Sequence, residues 1–297
     1  MKIKIPATSA NLGPGFDCLG LAIALYNEVS IKPSSYHSIS VKGEGEENAK
    51  LKKNNIFVSI FYDIYQELVG KKDPFRFEFY NNIPFSRGLG SSSAVIVGAI
   101  ASAYEMAGVK ASREIILNKA IVYETHPDNI APAVYGGFTS SVVENGKVRT
   151  LKKVLSEKLK VVMVIPDRPM STAHSRTLLP KTYLMKNVVY NLSRASLLTA
   201  AFFSENWEFL RGASRDCMHE HRRMRQMKEL FEVREIALKS GALMSTLSGS
   251  GSSFFNLVKA DDAPKVATAL KNAFGMFRVE IFELDNCLLY TSPSPRD

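Results

Sequence analysis

The amino-acid sequence predicts an α+β protein with two domains, and three observations lead to this prediction. Segments with the two-residue hydrophobic period of strands occur among segments with the longer period of helices. A lysine-rich stretch, residues 152–160, divides the chain into two parts that each contain both kinds of segment. Directly after it, the apolar run Val161–Ile165 stops at Pro166, which is typical of a buried strand that opens a new unit. Two such domains commonly bind a ligand between them.

The first domain is predicted to span residues 1–155, and the second residues 156–286. In the first, hydrophobic period and chain breakers predict strands near 2–6, 22–32, 37–43 and 75–80, helices near 55–69, 92–107 and 112–124, and, after the break at Gly136-Gly137, strands near 138–143 and 148–151. In the second they predict strands near 161–165, 242–247, 253–258 and 276–284, and helices near 187–203, 225–239 and 262–273. Residues 287–297 lose all periodicity and contain Thr-Ser-Pro-Ser-Pro, so they are predicted to be a disordered tail, and a foreign origin for it stays open.

The composition is that of an ordinary globular protein, with 297 residues, of which 45% are hydrophobic and 23% charged. No apolar run reaches 18 residues and the first residues alternate like a strand, which predicts a soluble, cytoplasmic protein without a membrane partner. Cys18, Cys217 and Cys287 are far apart, so neither a disulfide framework nor a cysteine-rich zinc site is expected. The net charge of +9 suggests a nucleic-acid-binding role. The basic residues, however, lie in small scattered groups, which argues against a nucleic-acid partner.

The segment Pro84–Ala94 carries the strongest chemical signal. It runs from the end of a predicted strand into an apolar helix and contains Arg-Gly-Leu-Gly-Ser-Ser-Ser, residues 87–93. Glycines let backbone N–H groups converge on an anion, and the helix presents its positive end there, so the segment is suited to phosphate. It is neither a P-loop nor part of a protein kinase, because no lysine follows the glycines and the HRD and DFG signatures are missing. Taken alone, the same residues could simply make a turn in which Ser91 caps a helix.

Three further segments contain candidate functional groups. The first, Pro6–Gly20, holds the Asn11 amide and the Asp17 carboxylate in a proline- and glycine-rich loop, and a tight turn with solvated side chains is the alternative. The second, Glu124–Asn129, offers a carboxylate for Mg²⁺ and a histidine, His126, for which a structural or substrate-contacting role is favoured over that of a general base. The third, Leu247–Ser253, is a second glycine loop that would clamp the ligand from the other domain, or make a plain β-turn.

These four segments, in this order, resemble the motifs of the GHMP kinase superfamily and, within it, of the homoserine kinases. The similar stretches are PATSANLGPGFDCLG, RGLGSSSA, ETHPDNIAPAVYGG and LSGSGSS, and the resemblance extends from Lys2 to about Asn286. It implies a two-domain GHMP kinase fold, with an N-terminal domain like domain 2 of ribosomal protein S5 and a ferredoxin-like C-terminal domain. The two glycine loops mark the superfamily, whereas NLGPGFDCLG and HPDNIAP mark the homoserine kinases.

The resemblance also implies the ligands and their residues. ATP would bind the two glycine loops, at Pro84, Arg87, Gly88, Leu89, Gly90, Ser91, Ser92, Ser93, Ala94, Ser248, Gly249, Ser250 and Gly251. Ser92 and Glu124 would hold Mg²⁺. L-homoserine would be surrounded by the catalytic-site residues Asn11, Asp17, His126, Asn129, Arg176 and Arg223, with the two arginines suited to its carboxylate. Arg222 is a rival for Arg223, because this chain reads His-Glu-His-Arg-Arg where the family usually has His-Gln-Pro-Tyr-Arg.

Where other superfamily members have a catalytic aspartate, the resemblance places Asn129, which cannot accept a proton. Catalysis is therefore expected to depend on positioning and electrostatics. The reaction that the resemblance implies is ATP-dependent phosphorylation of L-homoserine in threonine biosynthesis. Another GHMP kinase acting on mevalonate or a sugar, and a non-catalytic metabolite-binding member, stay open as alternatives. The sequence does not determine the oligomeric state, and a homodimer is also left open.

Overall fold

A computed structural model describes residues 1–286 and 290–292 of the chain. Its strands are β1 Lys2–Ala10, β2 Leu19–Pro33, β3 Ser38–Gly43, β4 Phe75–Asn81, β5 Phe138–Glu144, β6 Lys147–Lys153, β7 Leu159–Ile165, β8 Met244–Leu247, β9 Phe254–Lys259, β10 Arg278–Glu283 and β11 Tyr290–Ser292. Its helices are α1 Ala49–Lys53, α2 Ile56–Val69, α3 Ser91–Met106, α4 Arg113–Ala120, α5 Pro127–Tyr135, α6 Thr172–Thr177, α7 Met185–Ser204, α8 Leu210–Ala213, α9 Glu220–Met224, α10 Glu229–Ser240 and α11 Ala263–Ala273.

The strands form two sheets. The first has the order β11-β1-β2-β4-β3, and β5 pairs with both β2 and β6. All its pairs are antiparallel except β3 with β4. The second sheet has the order β10-β7-β9-β8 and is antiparallel throughout. In the chain, helices follow β7, β8 and β9 come next, and α11 precedes β10, which is the ferredoxin-like βαββαβ pattern.

These two sheets confirm the predicted α+β class. They part between Lys153 and Leu159, which is where the predicted boundary near residue 155 falls, although the domain limits themselves stay a prediction. The cores are less separate than the sheets. One continuous cluster of buried side chains joins Ile5 of β1, Phe202 of α7 and Phe255 of β9.

Strand β7 shows why the two parts pack together. Its side chains alternate between two apolar surroundings, as the period of a strand requires. Val162 and Val164 face the cluster formed with α10 and α11, whereas Val161 and Met163 face the core that continues into the first sheet. The sequence expectation of a buried strand is therefore confirmed.

Helix α3 places its N-terminus at the predicted phosphate loop. Its buried face consists mostly of small residues, so that it can approach β1 and α2 closely. At Gly98, a Cβ atom would lie 2.8 Å from the Cδ1 of Ile5 and 3.1 Å from the Cε2 of Phe57, so the neighbours would have to move for any larger residue. The start of α3 is held in place by this packing.

Three expectations for local structure were wrong. The short helices α1, α5, α6, α8 and α9 were not anticipated. Helix α4 ends at Ala120, so Glu124 follows it in a turn instead of standing at its last residue. In the expected disordered tail, Tyr290–Ser292 form β11, which pairs with Lys2–Lys4 of β1 and provides hydrogen-bond partners for its outer edge. Residues 287–289 and 293–297, for which a disordered tail was also predicted, lie outside the described residues.

Among the residues that the structure describes, no helix is both long and apolar enough to cross a membrane.

Candidate active site

The four predicted segments meet in one cleft with a cavity volume of about 180 Å³. Its lining consists of Asn11, Asp17, Pro84, Ser86, Arg87, Gly88, Leu89, Gly90, Ser91, Ser92, Ser93, Glu124, His126, Asp128, Asn129, Thr172, Arg176, Arg223, Gly249 and Ser250. All the predicted site residues are in this set except Ala94, Ser248 and Gly251. A larger cavity of about 850 Å³ lies beside α2, but it contains none of the predicted residues, so the chemistry points to the smaller one.

The phosphate loop has a backbone that only glycine fits. Gly88 and Gly90 have φ angles of +73° and +66°, in the left-handed region. A Cβ atom at Gly88 would lie 2.0 Å from the carbonyl oxygen of Ser248, and one at Gly90 would lie 1.9 Å from the Oγ1 of Thr8. The glycines therefore let the loop sit directly against β1 and against the second glycine loop.

The two glycine loops are hydrogen bonded to each other. That the second loop clamps a ligand stays a prediction. Ser248 Oγ donates to the carbonyl of Gly88 at 2.6 Å, and the Ser253 N–H donates to the carbonyl of Arg87 at 3.0 Å. The Arg87 side chain adds a bond from its Nε to the carbonyl of Pro166 at 2.8 Å. Arg87 thus ties the loop to the second domain through its guanidinium.

Helix α3 begins with a free N-terminus in this cleft. Its N-cap is Gly90, which has no side chain to cap the first N–H groups, and the helix runs for 16 residues from Ser91. Unpaired N–H groups and the aligned peptide dipoles make such an end favourable for an anion. The loop and the helix together offer backbone N–H groups to an anion, and phosphate binding there stays a prediction.

Glu124 lies beside the start of α3 and is hydrogen bonded to a serine there. The predicted pair of Mg²⁺ ligands, Ser92 and Glu124, stays a prediction. Ser93 Oγ donates to Glu124 Oε2 at 2.5 Å, whereas Ser92 is exposed at the cleft. Burial raises the pKa of Glu124, and the bond from Ser93 and the charge of Arg176 partly offset this effect. A half-buried carboxylate that lines a cleft is suited to a cation.

Asp17 is the centre of a charged cluster across the cleft. Arg176 binds its carboxylate with both terminal nitrogens, at 2.7 and 3.1 Å. Asn11 supports the same loop, since its Oδ1 accepts the Asp17 N–H at 3.0 Å and its Nδ2 donates to the carbonyl of Gly249 at 3.0 Å. The cleft therefore presents a carboxylate and a forked guanidinium side by side.

The contacts of His126 do not support a general base. Its Nε2 lies 3.3 Å from Asp17 Oδ2 and its Nδ1 lies 2.9 Å from Thr125 Oγ1. Burial lowers the pKa of His126, with Arg176 acting in the same direction and Asp17 opposing, so a neutral ring is favoured. A neutral ring that donates to Asp17 from Nε2 uses its Nδ1 lone pair to accept from Thr125. Neither nitrogen is then free to take a proton from a substrate.

Asn129 and Arg223 lie in the cleft, whereas Arg222, the other candidate arginine, does not. Asn129 Oδ1 accepts the Thr8 hydroxyl at 2.7 Å, next to Gly90, so its amide is oriented from β1. Arg223 is 2% exposed and lines the cleft. Arg222, its rival, instead donates to the carbonyl of Met218 at 3.2 Å and stacks over Tyr183 with 5.7 Å to the ring centre, away from the cleft.

Asp128 is a cleft residue whose environment the sequence did not reveal. It is 4% exposed, and burial, followed by the charges of Asp17 and Glu124, raises its pKa to about 8. The carboxyl group is therefore mostly protonated at neutral pH, and the cleft carries one negative charge fewer than its residues suggest. Thr172 is a further lining residue that no motif indicated, and Ser86 lies within the phosphate-loop segment but was not among the predicted site residues.

Replacing Asp128 by asparagine is expected to change the pH dependence of stability. The unfolded carboxyl ionises near its ordinary pKa of 3.8, whereas the folded one holds its proton up to about 8, so the folded state binds more protons between these values and loses stability as the pH rises. Asparagine removes this loss. Relative to wild type, Asp128→Asn should gain up to about 1.4 kcal/mol per pH unit across this interval.

Denaturant unfolding at pH 5, 6.5 and 8 measures this gain. The exposed Asp261→Asn serves as the matched control and should show no such trend. A free-energy difference between Asp128→Asn and wild type that is the same at all three pH values would show that the buried carboxyl is not protonated as described.

The oxygen donors at the start of α3 fit Mg²⁺. This ion prefers oxygen ligands and keeps several waters or phosphate oxygens, so one carboxylate and one hydroxyl from the protein are enough. The described residues contain no group of three or more His, Cys, Asp or Glu side chains that could hold a metal by itself. The Glu124 carboxylate and the neighbouring hydroxyls suit an ion that also needs a phosphate ligand.

The chain was compared with known proteins. The family model of the GHMP kinases N terminal domain matches residues 55–137, and that of the GHMP kinases C terminal domain matches residues 199–275. The homoserine kinases of Campylobacter concisus and of a Nitratiruptor species are each 63% identical over 286 residues, which is 96% of this chain and 97% and 98% of theirs. The crystal structure of homoserine kinase from Cytophaga hutchinsonii superposes with a TM-score of 0.86 at 27% identity, covering 96% of this chain and 95% of that one.

Proposed function

Since the chain belongs to the homoserine kinases of the GHMP kinase family, we propose that it transfers the terminal phosphoryl group of ATP to the hydroxyl of L-homoserine. The product, O-phospho-L-homoserine, is an intermediate of threonine biosynthesis. The proposal rests above all on one observation. A single cleft holds a phosphate-binding loop at a helix N-terminus and, facing it, the paired charges of Asp17 and Arg176.

The paired charges suit the two ends of an amino acid. L-homoserine carries an ammonium and a carboxylate at neutral pH, and these match the Asp17 carboxylate and the guanidiniums of Arg176 and Arg223. In the structure Asp17 and Arg176 satisfy each other. We infer that the substrate zwitterion inserts between them and exchanges their mutual ion pair for two new ones, with Asn11, His126 and Asn129 around it.

ATP is proposed to bind through the backbone of the glycine loops. The N–H groups of residues 87–93 would receive the phosphates, Gly249 and Ser250 would close over them from the second domain, and Pro84 would border the cleft. Ser92 and Glu124 are proposed to hold Mg²⁺, which when bound would neutralise charge on the phosphates. Ser93, which already donates to Glu124, would orient that carboxylate.

The residues of the cleft support catalysis by positioning. The Asn129 amide cannot accept a proton at neutral pH, and both nitrogens of His126 are engaged. The chain contributes fixed N–H donors, the α3 dipole and positive side chains, which stabilise the charge that develops on the transferring group. We also propose that the protein acts in the cytoplasm, without a nucleic-acid or membrane partner. Whether it forms a homodimer stays open.

A coupled ADP-release assay tests the function. With ATP and Mg²⁺, L-homoserine should be turned over, and mevalonate, galactose and shikimate should not. Asp17→Asn should raise the KM for L-homoserine about tenfold or more, because it removes the partner of the ammonium, whereas Asp261→Asn should leave it unchanged. Turnover with mevalonate or a sugar but not with homoserine would establish the rival kinase, and no turnover at all would favour the non-catalytic binding member.

A further inference from the structure

Arg223 is a buried arginine whose guanidinium is held in its orientation by few contacts. Its side chain is 2% exposed, and its guanidinium carbon lies 5.3 Å from the ring centre of Phe16. Nη1 donates to the carbonyl of Gly249 at 3.1 Å and to His219 Nδ1 at 3.2 Å. The Nε atom has no hydrogen-bond partner among the described residues. A guanidinium with five donors and so few bonds points where those few bonds direct it.

The backbone determines which nitrogen of His219 can accept from Arg223. His219 Nε2 lies 2.7 Å from the carbonyl oxygen of Gly13, and a carbonyl only accepts, so Nε2 carries the proton. Burial lowers the pKa of His219. Asp216 opposes this effect, and the charge of Arg223 adds to it. The ring is therefore neutral, and its Nδ1 has a free lone pair. The imidazole is thus locked as a donor to Gly13 and an acceptor from Arg223.

The backbone of His219 is itself fixed. Asp216 Oδ2 accepts the N–H groups of His219 and Glu220, both at 2.8 Å. Asn191 donates to Asp216 Oδ1 at 3.0 Å and to the carbonyl of Pro14 at 3.2 Å. These bonds join the start of α9 to the loop that carries Asn11 and Asp17.

We propose that His219 is a positioning residue, which orients Arg223 for the substrate carboxylate and couples it to the loop of Asn11 and Asp17. This inference rests on the proposed function, since it concerns binding of L-homoserine. His219 does not line the cleft and touches no reacting atom. Its effect therefore passes through Arg223 on one side and through Gly13 on the other.

Steady-state kinetics of His219→Leu and His219→Gln test the proposal. Leucine removes both bonds, so the KM for L-homoserine should rise about tenfold or more while the KM for ATP stays within about twofold. Glutamine can donate its amide N–H to Gly13 and accept from Arg223 with its oxygen, so it should bring the KM for L-homoserine back close to the wild-type value. The control His221→Leu changes an exposed histidine of the same helix and should alter neither KM.

Each other outcome is decisive. Equal KM values for L-homoserine in His219→Leu and His219→Gln, or an equal rise of both KM values in His219→Leu, would assign His219 a merely structural role. If thermal unfolding shows that His219→Leu does not fold, His219→Asn replaces it, because an amide one methylene shorter cannot reach both partners, and the same comparison with His219→Gln applies. A wild-type chain that does not phosphorylate L-homoserine overturns the proposed function together with this inference.

Discussion

Replacing Glu124 by glutamine is expected to lower magnesium-dependent turnover by at least about 100-fold, because the charged ligand of the ion is lost. The stability of the fold should not decrease. The glutamine oxygen can still accept the Ser93 hydroxyl, and a neutral amide is cheaper to bury than the carboxylate, whose pKa burial raises. We expect kcat to fall and the Mg²⁺ concentration needed for half-maximal rate to rise, while the melting temperature stays the same or increases.

The matched control is Glu105→Gln, which removes the same charge from an exposed position of α3 and should leave the rate unchanged. ADP release measured over a range of Mg²⁺ concentrations distinguishes the two variants. A Glu124→Gln enzyme with wild-type kcat at saturating Mg²⁺ would mean that Glu124 is not a ligand of the ion. In a non-catalytic binding protein, the same variant would leave ligand affinity nearly unchanged.

Removing Arg234 is expected to destabilise the fold by about 3 kcal/mol or more at pH 8. Its partner Glu220 has a side chain only 1% exposed, forms an ion pair with Arg234, and accepts the Leu247 N–H at 2.7 Å. Burial raises the pKa of Glu220 to about 7 although Arg234 opposes this. Without the arginine, the carboxylate must either stay charged in an apolar surrounding or take up a proton. The loss should therefore be smaller at pH 5, where protonation costs little.

Denaturant unfolding of Arg234→Ala at pH 8 and pH 5 measures both values. Lys239→Ala is the control on the same helix, because it breaks the exposed pair of Lys239 with Glu235 and should cost less than about 1 kcal/mol. An Arg234→Ala loss no greater than that of the control, or one that does not change with pH, would contradict the description of Glu220 as a buried carboxylate that needs its cation.

Helix α5 shows where sequence patterns fail for the fold. Its two prolines, Pro127 and Pro132, argue against a helix on propensity. Pro127 stands in the first turn, where no N–H is needed. Pro132 cannot bond to the carbonyl of Asp128, four residues earlier, and this carbonyl faces Gly20 of β2, where a Cβ atom would lie 1.8 Å from it. Only the tertiary packing against a glycine makes the interrupted helix fit, and this is not visible from local sequence.

The candidate site was largely predictable because its motifs are contiguous. A glycine-rich loop stands out in a sequence, and Gly88 and Gly90 of this loop do adopt left-handed φ angles. Side chains that reach the site only through tertiary packing cannot be recognised from a local motif. The choice between Arg222 and Arg223 depends on a rotation of one residue about a short helix. The raised pKa of Asp128 depends first on its own burial and then on the charge of Asp17, which is distant in the chain.

Detection of the phosphorylated product tests the central claim most directly. We expect ³¹P NMR of a reaction with ATP, Mg²⁺ and L-homoserine to show one new phosphomonoester for each ADP formed, at an oxygen of homoserine. Release of inorganic phosphate in place of that ester, or no loss of ATP, would contradict the assignment of this cleft to phosphoryl transfer onto homoserine.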